Sequence, residues 1–231
     1  MIPLHDDNPT RILPIVTVAI LIACVLAFLW QLLHAPQAQE LLITSLGVIP
    51  AALLGDFRPA QPLYSLPPSV TLVTSMFLHG GWMHLIGNML YLWIFGNNVE
   101  DAMGHGRFLV FYLLCGGGAA LTQAFAAPDS TIPMIGASGA ISGILGAYLL
   151  LYPHARVLVL LPLGVFTRLV RLPALAVLGF WFVLQVVNSL LVTTGGGGIA
   201  WGAHIGGFVA GLALIPLFKH RDVRLFHPGN R

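Results

Sequence analysis

Apolar residues run for about twenty positions at a time along this chain, separated mostly by short polar connectors. A bilayer core about 30 Å thick is crossed by a helix of roughly 20 apolar residues. Six stretches meet or approach that length, at residues 12–33, 84–99, 108–127, 135–152, 172–192 and 199–218. The pattern predicts six helices in one bundle, an all-α polytopic membrane protein with a single domain over residues 1–231. The second and fourth runs are short and carry glycine and polar residues, which suits helices inside a bundle better than helices surrounded by lipid. Residues 35–81 form the one long connection. They are proline-rich at Pro59, Pro62, Pro67 and Pro68 but include the apolar segment 40–54, which predicts a piece lying in the membrane interface. Residues 1–10 and 219–231 read as tails, and the run of four glycines at 195–198 is too short to count as low complexity. The acidic start, without a basic stretch ahead of the first apolar run, argues for a retained helix over a cleaved signal.

Charge sharpens the topology. With the N-terminus inside and six crossings, Arg11, Arg107, Arg156, Arg168, Arg171, Lys219, Arg221, Arg224 and Arg231 fall on the cytoplasmic side, and only Arg58 falls outside. Nine of the ten basic residues on one side is what the positive-inside rule requires, so both termini are expected to be cytoplasmic. Composition agrees: 57% of the residues are hydrophobic, 8% are charged, and the mean hydropathy is +0.88, which excludes an ordinary water-soluble globule. A net charge of +2 with scattered basic residues excludes a nucleic-acid partner. Cys24 and Cys115 sit in apolar runs and read as packing residues, not as a disulfide or metal site.

Polar side chains inside spans are costly and therefore carry functional hypotheses. Ser138 opens the fourth span in Gly136-Ala137-Ser138-Gly139. His204 lies near the start of the sixth in Ala203-His204-Ile205-Gly206-Gly207, and His84 and Asn88 lie one turn apart at the start of the second. Spans two, four and six all run inward, so these residues share one depth near the external side. Gly139/Gly143, Gly202/Gly206 and Gly207/Gly211 are small-xxx-small pairs that allow close helix approach in a membrane. Packing through those faces would bring Ser138 Oγ within hydrogen-bond reach of His204, the requirement for a serine nucleophile and its base. No acidic residue falls in the outer half of a span; Asp56 and Asp129 are external, and a two-residue dyad is the simpler reading. Asn88, His84 and the Ser138 backbone N–H at a helix start are suitable donors for a developing oxyanion. Glu100, at the far end of span two, reads as a structural anchor.

These motifs in this order resemble the rhomboid family of intramembrane serine proteases. The resemblance covers residues 72–217 and rests on His84-x-x-x-Asn88, Gly136-Ala137-Ser138-Gly139 and Ala203-His204-x-x-Gly207-x-x-x-Gly211. It implies a six-helix rhomboid-like core that hydrolyses a peptide bond in or beside the transmembrane helix of a single-span substrate. Ser138 would be the nucleophile and His204 the general base and then acid, with His84 and Asn88 supporting the oxyanion hole. Gly136, Gly139, Gly207 and Gly211 would be structural near the site, and His79 would tie the first loop to span two. No cofactor and no metal are implied, and the bacterial inner (plasma) membrane is the expected location. Two departures stand out. The Trp-Arg pair that many members carry in the first loop is absent near Val70-Thr71. The aromatic that some members place one turn after the serine is Ser142 here, leaving Trp181 or Phe182 to pack the histidine ring. Two other function classes compete: a rhomboid-like protein that binds membrane helices without cutting them, and a metal or haem protein using His79, His84 and His204. Oligomeric state is not encoded in these features.

Overall fold

The computed structural model describes residues 1–60, 62–163, 166–191 and 200–226. The predicted span ends at Val192 and Ile199, the glycine run 195–198 and Arg231 lie outside the described residues. Helices occupy all six apolar runs: α1 (Ile15–Leu32), α5 (Trp82–Met103), α6 (His105–Ala126), α7 (Ser138–Leu151), α8 (Ala174–Leu191) and α9 (Trp201–Phe218). Among the described residues, α1, α6, α8 and α9 are long and apolar enough to cross a bilayer. The 14 residues of α7 span only about 21 Å. Helix α5 has the length, at 22 residues, but its apolar run is broken by Asn97, Asn98, Glu100 and Asp101. The protein is a mostly helical, multi-pass integral membrane protein.

The long first loop folds into three short helices, α2 (Pro36–Leu46), α3 (Pro50–Leu54) and α4 (Pro68–Thr74), followed by a 3-10 turn at Ser75–Phe77. Each of the three has proline in its first turn, where the missing N–H costs nothing and the fixed φ favours a helix start. The absent Trp-Arg pair is replaced by other ties. Val48 and Met134 exchange backbone hydrogen bonds of 3.0 and 2.7 Å, and the Ala51 N–H donates to Ser130 O. Ser45 Oγ accepts the N–H groups of Leu63 and Tyr64, and Thr74 Oγ1 donates to Leu46 O. The loop is thereby fastened to the segment that leads into Ser138.

The expectation of an all-α protein is corrected by a sheet. Among the described residues β1 (Ile2–Asp6), β2 (Arg156–Leu163) and β3 (Phe166–Pro173) form an antiparallel sheet in the order β1-β2-β3. The connection between α7 and α8 carries Arg156, Arg168 and Arg171, yet it alternates as a half-buried strand does: Val157 and Val159 are buried while Arg156 is exposed. Residues 1–10 are not wholly a tail, since β1 pairs antiparallel with β2, from Ile2 opposite Leu160 to Asp6 opposite Val157.

Two buried acids tie the end of the bundle that carries the sheet. Glu100 accepts the N–H groups of Val16 and Thr17 (2.9 and 2.8 Å) and the Thr17 hydroxyl (2.6 Å), placing a carboxylate at the N-terminus of α1, where the helix dipole favours it. It also pairs with His105. Asp6, 5% exposed, accepts the Tyr148 hydroxyl at 2.6 Å. Burial outweighs that hydrogen bond and pushes the Asp6 carboxyl up from 3.8 to about 6. A raised folded-state value means the fold binds the proton more tightly than the unfolded chain does. The resulting stability is complete below about pH 4 and is lost as pH rises through about 6, a difference of about 3 kcal/mol for a shift of this size. Asp6→Asn is therefore expected to raise the thermal unfolding midpoint at pH 7.5, with the gain over wild type vanishing towards pH 4.

Candidate active site

The N-terminal ends of α5, α7 and α9 converge, and each brings the polar residues of its first turns. Helix α7 begins at Ser138, three residues later than the apolar run, because Gly136 interrupts the backbone at φ +118°. Its N–H donates to Ser75 O at 2.8 Å. A Cβ at this position would lie 2.7 Å from both Cε1 and Nε2 of His84, so only glycine meets both the conformation and the space. Ser138 is thus the first residue of its helix, and its backbone N–H belongs to the turn that has no partner within the helix.

Ser138 Oγ and His204 Nε2 are 2.9 Å apart. Helix packing sets that separation. Gly207 and Gly211 of α9 lie directly against the backbone carbonyls of Gly139 and Gly143 of α7, while Gly206 faces Thr122 and Gly202 faces Gln123 of α6. Helix α9 is wedged between the two by its small residues. The His204 ring has Trp181 and Trp201 beside it, at centroid distances of 6.0 and 6.1 Å. Of the two aromatics expected to compensate for Ser142, Trp181 does so; Phe182 stacks on Phe208 instead. Ser142 Oγ donates to Ser138 O, one turn back in its own helix.

His84 and Asn88 face Gly136, beside the serine. The Gly80 N–H donates to His84 Nδ1 at 3.3 Å, so a neutral His84 carries its proton on Nε2, the atom against Gly136. Asn88 Nδ2 is buried and has no hydrogen-bond partner among the described residues. A buried N–H without a partner is costly unless something else accepts from it. Two donors therefore point to the region next to Ser138. His79 is held apart from them: its backbone N–H and C=O pair with the Gln31 side chain of α1 at 3.0 and 3.2 Å, its Nδ1 donates to Phe77 O, and its ring meets His84 edge-on. It ties the first loop to α1 through those bonds and meets α5 through that ring. Burial and the neighbouring His84 push the His79 imidazole down to about 4, so it is neutral at pH 7.

One residue of this site was not anticipated. Gln185, on α8, places its Oε1 2.9 Å from His204 Nδ1. With Ser138 on Nε2 and Gln185 on Nδ1, both His204 nitrogens are engaged, and among the described residues His79, His84 and His204 do not converge as a metal-holding group. An amide in the middle of the apolar run 172–192 was the available signal, of the same kind that marked Ser138 and Asn88.

A family model described as the Rhomboid domain matches residues 68–221. Among similar proteins, the chloroplastic Rhomboid-like protein 11 of Arabidopsis thaliana is 29% identical over 192 residues, covering 78% of this chain and 64% of the relative. Rhomboid protease GluP of Bacillus subtilis is 37% identical over 140 residues, covering 61% of this chain and 24% of the relative. The mitochondrial Rhomboid protein 1 of Saccharomyces cerevisiae is 31% identical over 152 residues, covering 62% and 40%. The matches thus span between 24% and 64% of the length of these relatives.

Proposed function

Since the chain belongs to the rhomboid family, we propose that it is an intramembrane serine endopeptidase that cuts a peptide bond in or next to the transmembrane helix of single-span membrane proteins. The observation that carries this reading is the 2.9 Å approach of Ser138 Oγ to His204 Nε2, with two N–H donors beside it. In the proposed reaction Ser138 Oγ attacks the scissile carbonyl carbon as its proton passes to His204 Nε2. The oxyanion is held by Asn88 Nδ2, His84 Nε2 and the Ser138 N–H. Collapse of the tetrahedral intermediate expels the amine, which takes the proton from His204. Water, deprotonated by the same imidazole, then releases the acyl group from Ser138. The chemistry needs no cofactor.

The wider reading follows the charge pattern. Helices α1, α5, α6, α7, α8 and α9 cross the membrane as one domain, with both termini and the sheet on the cytoplasmic side of a bacterial plasma membrane and the dyad near the outer face. A short α7 suits a helix that begins below the surface, where water reaches the serine from outside.

The test is reconstitution of the chain in liposomes with a single-span substrate, together with a serine-directed fluorophosphonate. Cleavage near the outer end of the substrate helix and a covalent adduct on Ser138 are expected. Neither cleavage nor adduct, from a protein that still binds the substrate helix, would favour the non-proteolytic helix-binding alternative.

A further inference from the structure

We propose that Gln185 is a positioning residue that locks His204 as its Nδ1–H tautomer, turning the dyad into a Ser–His–Gln relay with an uncharged third member. The inference rests on the reading of Ser138 as nucleophile and extends it to α8, on which the sequence had marked no chemistry beyond ring packing.

The argument is one of hydrogen-bond direction. Gln185 is 6% exposed, and its Nε2 donates to Trp181 O, one turn earlier in α8, at 3.2 Å. A carbonyl only accepts, so this bond fixes which end of the amide is nitrogen. The flipped amide would set Oε1 against the Trp181 carbonyl, two acceptors in contact in a buried place. With the nitrogen so placed, Oε1 is the atom presented to His204, and Nδ1 must be the donor across the 2.9 Å separation. A neutral imidazole protonated on Nδ1 has a bare Nε2. Ser138 Oγ–H is then the donor across the second 2.9 Å separation, the polarity a general base needs to take the hydroxyl proton. From Ser138 through His204 and Gln185 to the Trp181 carbonyl, all three hydrogen bonds run one way.

An aspartate in this place performs the same orienting task and also stabilises the imidazolium. In a bundle within the membrane a buried carboxylate is costly, and the amide gives orientation without charge. The consequence is a protonated His204 with no carboxylate on Nδ1, so the acid limb of the pH–rate profile lies lower than a carboxylate partner would set it. Helix α8 turns most of its surface outward: among its described residues only Ala174, Val177, Leu178 and Gln185 are buried, while Leu175, Val183, Leu184 and Val187 are exposed. Gln185 is therefore the polar point at which the packing of α8 reaches the dyad.

The test has two readouts. In protein labelled with 15N-histidine and reconstituted in liposomes, nitrogen NMR is expected to show His204 with Nδ1 protonated and Nε2 bare at pH 8. In Gln185→Met, of similar length and without the acceptor, that signature is expected to give way to a tautomer mixture. There kcat should fall at least about 10-fold, because the general base is no longer held in one tautomer, with KM within about twofold. Gln185→Glu is expected to keep the Nδ1–H form, recover most of kcat at pH 8, and move the acid limb up by about one pH unit or more. A wild-type His204 protonated on Nε2, or wild-type kcat and acid limb in Gln185→Met, would overturn the proposal. So would an unmoved acid limb in Gln185→Glu, the result of a purely structural role. Failure of the nucleophile reading looks different: Ser138→Ala would go on cleaving while the NMR tautomer stayed as assigned.

Discussion

Replacing Ser138 by alanine is expected to lower substrate cleavage in liposomes by roughly 10⁴- to 10⁶-fold at equal amounts of folded protein, and His204→Ala by a similar factor. The double variant should be no worse than either single one. Oγ and Nε2, 2.9 Å apart, act as one unit, so removing either group removes the whole proton-coupled attack. Asn88→Ala is expected to fall less, by about 10²- to 10³-fold, because His84 Nε2 and the Ser138 N–H remain to hold the oxyanion. Initial rates on one single-span substrate, with folded protein counted by gel filtration, read all four. Undiminished cleavage by Ser138→Ala would end the assignment of the nucleophile, and equal losses in Asn88→Ala and Ser138→Ala would deny the separation of roles.

What the sequence makes legible and what it hides divide along physical lines. Six helices can be read because membrane helices must be long and apolar, a local property of consecutive residues. Ser138, His204, His84 and Asn88 can be read because a polar side chain in such a run is rare enough to need a reason. Their partners are harder. Gln31 and Gln185 are also amides in apolar runs, but an amide does no acid–base chemistry of its own; its value appears only when the bonded atom is known, here His79 N and O for one and His204 Nδ1 for the other. The sheet is hidden for a different reason. β1 and β2 are about 150 residues apart, so their pairing is no property of consecutive residues, and the three arginines of Arg156–Pro173 mask the buried Val157 and Val159. The departure at Ser142 is legible, but the answer to it is not, because Trp181 and Phe182 are neighbours on one helix that both meet Phe208, and only the fold shows that Trp181 also reaches His204.

The second large effect concerns the seam that sets the dyad distance. Gly207→Ala and Gly211→Ala are each expected to lower cleavage by at least about 10²-fold and to destabilise the bundle by about 3 kcal/mol. A Cβ on Gly207 would overlap the Gly139 carbonyl, and one on Gly211 would overlap the Gly143 backbone. Backbone atoms cannot rotate aside as a side-chain tip does, so α7 and α9 must separate. His204 lies one turn above Gly207 on the same face, and a displacement of about 1 Å there takes Oγ and Nε2 out of hydrogen-bond range. The control is a glycine of the same bundle with open space around it. An added Cβ on Gly179 of α8, or on Gly117 of α6, meets nothing within 4 Å, and alanine there is expected to leave cleavage unchanged and to stabilise slightly through helix propensity. Thermal unfolding and cleavage measured on the four variants decide the matter. Wild-type activity in Gly207→Ala would mean that the dyad distance is not set by the α7–α9 contact. Equal losses in Gly179→Ala would mean that helix flexibility, and not close approach, is what the glycines supply.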